Sequence, residues 1–314
     1  MRKFTSNLFI AGVCIILSLS IIPMNSVKAT GNSQVWWTDL PSSGTGGSTV
    51  RNNSITGWVA ENCGGVYDIR YNFSFGSYNQ NSFRLNSHSV LITSISQGGV
   101  LGGASLSYNL EDSNTVVYNT DIVGVRLQQG RTYTSNWNRT IPLGSTNRGV
   151  QIQVSTISGH DSSVYVCGTE DSMSYLVGRS NLANKTAETT ISNEALSYEV
   201  VAQKESFSNA ISNDYYLADE PKIAGGAILN HYRDRESGDL LVVAIQETPI
   251  EISNLEENDF SAKIDGELNY EFAINRNQDG EELSVIKYEN EGIYTLVVSK
   301  LGQEKLLEVI KSAY

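Results

Sequence analysis

Side chains that usually carry catalysis or bind metals are few in this chain and are poorly spaced for either task. The three histidines are His88, His160 and His231, and none belongs to an HExxH or another two-histidine zinc pattern. His160 precedes Asp161, which places a base beside an acid, but the surrounding residues predict a turn. No GxSxG nucleophile motif occurs. The sequence therefore predicts neither a catalytic centre nor a bound metal or cofactor.

One acidic segment resembles the opening of a calcium-binding loop. Asn275, Asn277, Asp279 and Gly280 follow the spacing of an EF-hand. The twelfth position of such a loop would be Ile286, where a bidentate Glu is required. We therefore interpret Asp279-Gly280 as the turn of a β-hairpin.

Aromatic side chains are the best indication of ligand binding. Flat rings on a rigid sheet can stack on sugar rings, while Asn, Ser and Arg side chains can bond sugar hydroxyls. Trp and Tyr also fill sheets by packing alone, so both interpretations stay open. Adjacent residues of a strand point to opposite faces, so one ring of a Trp-Trp pair is expected to be exposed. The predicted ligand contacts are Trp36, Trp37, Trp58 and Trp137.

Charged side chains leave other roles open in the same region. Glycoside hydrolysis needs two carboxyl groups across the scissile bond, and Asp68 and Asp121 are candidates. Guanidinium groups form planar, bidentate contacts and could face anionic wall polymers, although compositional drift would also explain them. No basic patch is dense enough to indicate nucleic acid. The arginines of this region are Arg51, Arg70, Arg84, Arg126, Arg131, Arg139 and Arg148.

Residues 1–29 predict a secretory signal peptide. Arg2 and Lys3 form its charged start, and an apolar run follows over residues 8–22. Small residues before position 30 predict cleavage after Ala29. The run is short for a membrane span, which needs about 20 apolar residues, so no stable span is expected after cleavage. A retained membrane anchor is the alternative.

Two cysteines remain in the predicted mature chain, Cys63 and Cys167. An exported chain meets an oxidising environment, and an even count there favours a disulfide between them. Two buried free thiols are the alternative. The spacing lacks a CxxC pair, so it does not favour a metal site.

A compositional step near residue 178 divides the mature chain. No lysine occurs between Lys28 and Lys185. Residues 30–178 carry nine acidic and seven basic side chains, whereas residues 180–314 carry twenty-five acidic and eleven basic ones. The excess negative charge favours solubility and repels anionic polymers. It would favour a basic partner or dissolved cations, although a well-solvated surface also explains it and is the preferred interpretation. The predicted parts are a first module (34–178), a linker (179–197) and a second module (198–314).

The first module has the residue pattern of an all-β domain. Short alternating apolar and polar runs are separated by Gly, Asn and Ser clusters, which predicts an antiparallel sandwich. The glycines of GGVLGG at 98–103 lack the GK[ST] of a phosphate loop and predict a bend or bulge. The predicted strands are 54–60, 66–75, 89–96, 104–110, 115–127, 150–157 and 163–167.

The sequence of the second module predicts an α+β domain, in which an antiparallel sheet is followed by a closing C-terminal helix. The run LLVVAIQ at 240–246 is a candidate central strand. Asp265-Gly266 and Glu291-Gly292 predict hairpin turns between alternating strands. Leu306, Leu307 and Ile310 form one apolar stripe of a final amphipathic helix. The fold class expected for the whole chain is therefore two-domain, an all-β sandwich followed by an α+β module.

The second module resembles an uncharacterised domain of Gram-positive envelope proteins, domain-of-unknown-function family 4367. The resemblance covers about a third of the chain, through HYRDRESGDLLVVAIQE and IKYENEGIYTLVVSKLGQEKLLEVIKS. It implies sensing or interaction at extracytoplasmic sites, and it supplies no catalytic residue. The first module resembles no family. The positions that carry the likeness are Tyr288, Glu291, Gly292, Tyr294, Leu296 and Ser312.

These features together predict a secreted, non-catalytic binding or interaction protein of the bacterial cell envelope or medium. Its expected partner is a cell-wall glycan or another exported protein, not nucleic acid. Two alternatives remain: a hydrolase of wall polymers, and a regulator or inhibitor of another exported protein.

Overall fold

In the computed structural model, the described part of the chain is rich in β-strands and contains two α-helices. The signal peptide, Trp58, Cys63 and Cys167 lie outside the described residues, so the predictions made for them stay predictions. Most of the predicted linker also lies outside them. The described residues are 34–40, 43–57, 65–79, 81–95, 99–110, 113–142, 150–158, 170–179, 196–218, 221–224 and 226–313.

The first module contains strands that pair into two sheets. One sheet has the order β2-β3-β4-β8, and the other has the order β1-β10-β9-β5-β6, with β7 paired to β5. The strands are β1 (Gln34–Leu40), β2 (Gly47–Gly57), β3 (Gly65–Tyr78), β4 (Ser82–Ile95), β5 (Gly99–Leu110), β6 (Ser113–Asn119), β7 (Val125–Arg126), β8 (Thr132–Pro142), β9 (Val150–Ser158) and β10 (Glu170–Arg179).

The two sheets of the first module face each other across one apolar core, as the predicted sandwich requires. Ile69, Tyr71 and Phe73 alternate along β3 and are buried, and Leu101 and Leu106 of β5 belong to the same cluster. Alternation with period two puts every second side chain on the inner face. Burial of this shared face is what holds the two sheets together.

The second module is an eight-stranded sheet with two helices. Its strands have the order β11-β13-β14-β19-β18-β17-β16, with β12 also paired to β13. The elements are α1 (Tyr198–Ala210), β11 (Tyr215–Leu217), β12 (Lys222–Ala224), β13 (Ala227–Asp234), β14 (Leu240–Gln246), β15 (Glu251–Ile252), a 3-10 turn (Glu257–Asp259), β16 (Ser261–Asp265), β17 (Leu268–Arg276), β18 (Glu282–Asn290), β19 (Ile293–Ser299) and α2 (Gln303–Ala313).

Both helices pack on one face of this sheet. Phe207 of α1 and Leu306 and Ile310 of α2 are buried in one cluster with Leu241 and Val243 of β14. The predicted closing helix is confirmed, and its apolar stripe is the face that packs. The predicted central strand is confirmed too, because β14 lies inside the sheet and is buried along its whole length.

Predicted turns of the second module lie where the sequence placed them. Gly266 has φ 67° in the two-residue connection between β16 and β17. Glu291 and Gly292 have φ 51° and 83°, the paired positive values of a type I′ turn, between β18 and β19. Gly280 has φ 80° in the turn between β17 and β18, which confirms the hairpin interpretation of Asp279-Gly280.

Several details differ from the sequence predictions. The single strand expected over 115–127 is wrong, because a turn over 121–124 separates β6 from β7. Helix α1 was not predicted, because its two buried apolar side chains, Val200 and Phe207, are too few to form a recognisable amphipathic stripe. Most strand pairs are antiparallel, but β1 pairs with β10 in parallel, and β6 pairs with β15 in parallel. Within the described residues, neither helix has the length and apolar content needed to cross a membrane.

Candidate functional site

The second face of the eight-stranded sheet packs against the first module. Val242 and Ala244 of β14 point away from the helices and share an apolar cluster with Val116, Tyr118 and Val123 of the first module. A strand covered on both faces reads as a continuous apolar run, which is the reason for the sequence LLVVAIQ. The modules therefore form successive layers: helices, eight-stranded sheet, β5–β6 sheet and four-stranded sheet. We call the contact between the two modules the inter-module interface.

One strand of the second module extends a sheet of the first. Glu251 and Ile252 of β15 pair in parallel with Val117 and Tyr118 of β6. The backbone N–H of Ser253 donates to the carbonyl of Tyr118 at 2.8 Å. The inter-module interface is therefore hydrogen-bonded through the backbone as well as packed through side chains.

Gly102 lets the two modules approach closely. It lies at the irregularity between Leu101 and Gly103 in β5, where Gly103 has φ 133°, so the predicted bulge in GGVLGG is confirmed. A Cβ atom added at Gly102 would lie 2.6 Å from Nε2 of His231, a fully buried side chain of β13. Such a distance is shorter than real Cβ contacts allow, so the imidazole occupies the space that only a glycine leaves free.

The turn that resembles a calcium loop docks on the first module instead. The side-chain oxygen of Asn277 accepts from the backbone N–H groups of Asp279 and Glu281, both at 3.0 Å, and so holds the turn in shape. The Asp279 carboxylate then accepts from the backbone N–H of Arg126 at 2.8 Å and from the guanidinium of Arg131. The residues chosen by sequence for their oxygen atoms thus serve the inter-module interface.

Gln278, at the tip of the same turn, bonds the open edge of β8. Its side-chain carbonyl accepts from the backbone N–H of Thr134 at 3.1 Å, and its amide donates to the carbonyl of Thr134. Its own backbone N–H donates to the carbonyl of Asp121 at 2.8 Å, and its carbonyl accepts from Arg131 at 2.5 Å. One glutamine therefore caps part of an edge strand, where unpaired backbone groups would otherwise remain.

A polar network around Asp121 completes the inter-module interface. The amide of Asn254 donates to the Asp121 carboxylate at 2.6 Å, and the backbone N–H of Thr120 donates to Asn254 at 2.9 Å. Asn275 donates to the hydroxyl of Thr120 at 2.8 Å. Burial raises the pKa of the Asp121 carboxyl, while hydrogen bonds from Asn254, Asn119 and Asn275 oppose that rise.

The compositional step has a structural counterpart in this contact. Arginines of the lysine-free module pair with carboxylates of the acidic module: Arg131 with Asp279, and Arg139 with Glu251 at 2.5 Å. Part of the negative charge of the second module is thus paired with arginines of the same chain. Arg131 and Arg139, both considered for wall polymers, therefore have an intramolecular role.

Of the four predicted ligand-binding tryptophans, only Trp137 has a described side chain. Trp137 is 5% exposed and belongs to the core between the sheets of the first module, so its ring offers no face to a surface ligand. Trp36 and Trp37 lie on β1, opposite Tyr175 and Leu176 of β10, and their side chains are outside the described part.

His160 and Asp161 lie outside the described residues, and the other residues considered for catalysis have structural surroundings. His88 is 1% exposed in the core of the first module, and burial lowers its pKa to about 3, so it is neutral at ordinary pH. His231 is buried at the inter-module interface beside Gly102. Asp68 accepts a hydrogen bond from the hydroxyl of Ser94 at 2.5 Å. Among the described residues, no group of three or more His, Cys, Asp or Glu side chains is arranged to hold a metal ion.

A mostly polar surface that no sequence motif indicated covers the far side of the four-stranded sheet, with Leu91 as its apolar member. We call it the outer sheet face. Its rows follow the strand register, with Asn72 opposite Ser89 and Ser89 opposite Thr134. Every member is exposed or half-buried, whereas the residues between them point into the core. The described members of this face are Arg70, Asn72, Ser74, Arg84, Ser87, Ser89, Leu91, Thr132, Thr134 and Asn136.

Arg84 lies flat on this face because Gly76 makes room for it. A Cβ atom at Gly76 would meet Cδ of Arg84 at 3.0 Å and Cγ at 3.2 Å, so the aliphatic part of the arginine covers the glycine backbone of the neighbouring strand. Arg84 is exposed. Packing of the stem restricts the guanidinium to positions close to the sheet surface.

Comparison of the chain with protein families and with curated proteins found no match. The resemblance of the second module to family 4367 therefore stays a prediction.

Proposed function

We propose that this chain is an exported, non-catalytic binding protein of the bacterial cell envelope or medium, and that it binds a wall glycan on the outer sheet face. The observation that carries the proposal is the composition and exposure of that face. Hydroxyl and amide side chains stand in register across β3, β4 and β8, and two exposed arginines, Arg70 and Arg84, lie among them.

The chemistry of these side chains suits a hydroxyl-rich polymer. Ser, Thr and Asn side chains can each donate and accept, as sugar hydroxyls do. A guanidinium adds two parallel donors for a carboxylate, a group that wall glycans can carry on their substituents. Because the rows repeat along the strands, an extended chain can bond several of them at once.

Rigidity of the platform supports the same proposal. The four-stranded sheet is held on its inner face by the core of the first module, and Thr134 of β8 is held at its edge by Gln278 of the second module. A surface that is already ordered loses little conformational entropy when a ligand binds, so modest polar contacts suffice.

The hydrolase and the regulator remain weaker candidates than the binding protein. Asp121, one carboxyl considered for hydrolysis, is hydrogen-bonded within the inter-module interface, and Asp68 is hydrogen-bonded to Ser94. Both contacts give these groups a positional role. Sensing or inhibition of another exported protein rests on the family resemblance alone.

The test is a binding assay on residues 30–314 with insoluble peptidoglycan and with soluble wall glycans. We expect Arg84→Ala to weaken binding by about tenfold or more, because a hydrogen bond to a charged group contributes about 1.5–3 kcal/mol. Arg276→Ala is the matched control, since Arg276 is an exposed arginine of the second module, with 71% of its side chain accessible. Its binding should equal that of the unaltered chain.

Three results would contradict the proposal. They are the absence of binding to any wall polymer, equal binding by the Arg84→Ala chain, and equal losses in the Arg84 and Arg276 variants. Release of soluble sugar from the same polymers would instead support the hydrolase.

A further inference from the structure

The eight-stranded sheet ends in an exposed strand. β16 pairs with β17 on one side, and it is the last strand in the sheet order. Ser261 and Ala262 are exposed along it. An edge strand leaves a row of backbone N–H and carbonyl groups ready to pair with another strand.

A large apolar side chain lies near the C-terminal end of this edge strand. Ile264 is 77% exposed, on the sheet face opposite the helices, next to the exposed side chains of Asn269 and Glu271 on β17. Exposed apolar side chains are common on protein surfaces, but on a sheet edge they favour strand addition.

Lysine on an edge strand often prevents pairing, but Lys263 is held against the helix side. Its amine donates to the side chain of Gln303 at 3.0 Å and lies 4.9 Å from the ring centre of Phe272. Asp265, two residues further on the same face, pairs with Lys311 of α2 at 2.6 Å. Both charged side chains therefore lie on the helix face of the strand and leave its backbone groups uncovered.

We propose that β16 is a self-association edge, at which two copies of this chain pair β16 with β16 in antiparallel orientation about a two-fold axis at Ile264. This register is self-complementary. Ile264 faces Ile264 of the other copy, and Lys263 faces Asp265 in both directions. An isologous contact of this kind closes on itself and does not propagate.

The area of such a contact sets the expected strength. About this axis, three residues of each β16 (263–265) pair with the other copy, so the contact buries little surface. Interfaces below about 1,200 Å² are typical of weak or transient contacts. The dimer is therefore expected to form only at high protein concentration, or where the chain is concentrated on a polymer. There, two linked binding surfaces would raise the apparent affinity by avidity.

Sedimentation velocity of residues 30–314 over a wide range of concentrations tests the proposal. We expect reversible dimer formation. We expect Ile264→Lys to weaken it by at least about tenfold, since it removes from each copy an isoleucine that the dimer would bury, and it opposes two lysines. Ile274→Lys is the matched control. Ile274 is 52% exposed on the adjacent, internal strand β17, so its replacement should leave the dimer constant unchanged.

A charge exchange tests the register. Asp265→Lys places lysines opposite each other and should weaken the dimer, while the added Lys263→Asp change should restore it. Thermal unfolding of each variant shows whether the fold is retained. A chain that is monomeric at every concentration, a dimer that survives Ile264→Lys, or one that Ile274→Lys weakens equally overturns the proposal.

Discussion

A single methyl group at Gly102 is expected to test how firmly the two modules are joined. In the Gly102→Ala variant, the added Cβ would stand 2.6 Å from Nε2 of His231 and 3.0 Å from its Cδ2. Ordinary contact begins near 3.4 Å, so one partner must move by almost an ångström. Gly102 is not among the glycines with positive φ, and the backbone itself therefore accepts alanine.

The penalty follows from the burial of the imidazole. His231 of β13 is fully buried with its ring against Gly102 of β5, and close packing there limits any shift of the ring. Overpacking of a close-packed interior costs about 1–3 kcal/mol, and the short distance favours a cost of about 2–3 kcal/mol. Urea unfolding, followed by circular dichroism and by tryptophan fluorescence, measures it.

The double variant with His231→Ala provides the control. Removing the imidazole leaves space for the new methyl group, so Gly102→Ala should cost much less in that background, and the difference between the two costs measures the contact. A cost of Gly102→Ala within about 0.5 kcal/mol of zero would refute the reasoning, because surface changes stay in that range. So would an equal cost in both backgrounds.

Three further outcomes follow from the same structure. Asp279→Ala should destabilise the chain by about 2–3 kcal/mol in urea unfolding, because its carboxylate, only 14% exposed, accepts hydrogen bonds from Arg131 and from a backbone N–H. A loss below about 0.5 kcal/mol, the range typical of surface changes, would contradict this. Burial raises the pKa of Asp121, so the stability that its neutral form contributes is lost as pH rises through the folded pKa. The stability of the Asp121→Asn variant relative to the unaltered chain should therefore increase from acidic to neutral pH. A decrease over that range would be evidence against burial as the cause. Leu306→Ala should cost about 2–5 kcal/mol in the same assay, since this α2 side chain is fully buried; a negligible loss would mean that the helix does not pack as described.

Much of the second module was predictable because its signals are local. Paired positive φ values at Glu291 and Gly292 are a property of a two-residue turn, and the Glu-Gly sequence predicts them without reference to the rest of the chain. The apolar stripe of α2 is equally local. Helix α1 lacked such a signal, because it buries few apolar side chains and owes its place to the sheet beneath it.

The candidate site was less predictable. The sequence indicated aromatic residues as ligand contacts. Trp137 is instead part of the core, where aromatic side chains bury a large apolar area. The polar rows of the outer sheet face were missed, although the alternation of Arg70, Asn72 and Ser74 with buried residues along β3 was a usable signal. Alternation identifies an exposed face, but only the register of three strands shows that the rows align.

The amino-acid sequence by itself determined the division into two chemically distinct modules, most strands, the tight turns and the closing helix, because each depends on residues close together in the chain. Only the tertiary structure decided that these modules share a sheet and a core. Gly102 meets His231, and the turn at Gln278 meets Thr134, across more than a hundred residues of sequence. Contacts at such separation depend on how whole layers pack, and neither periodicity nor composition encodes that choice. The compositional step near residue 178 separates the two modules along the chain, and the fold packs these modules against each other.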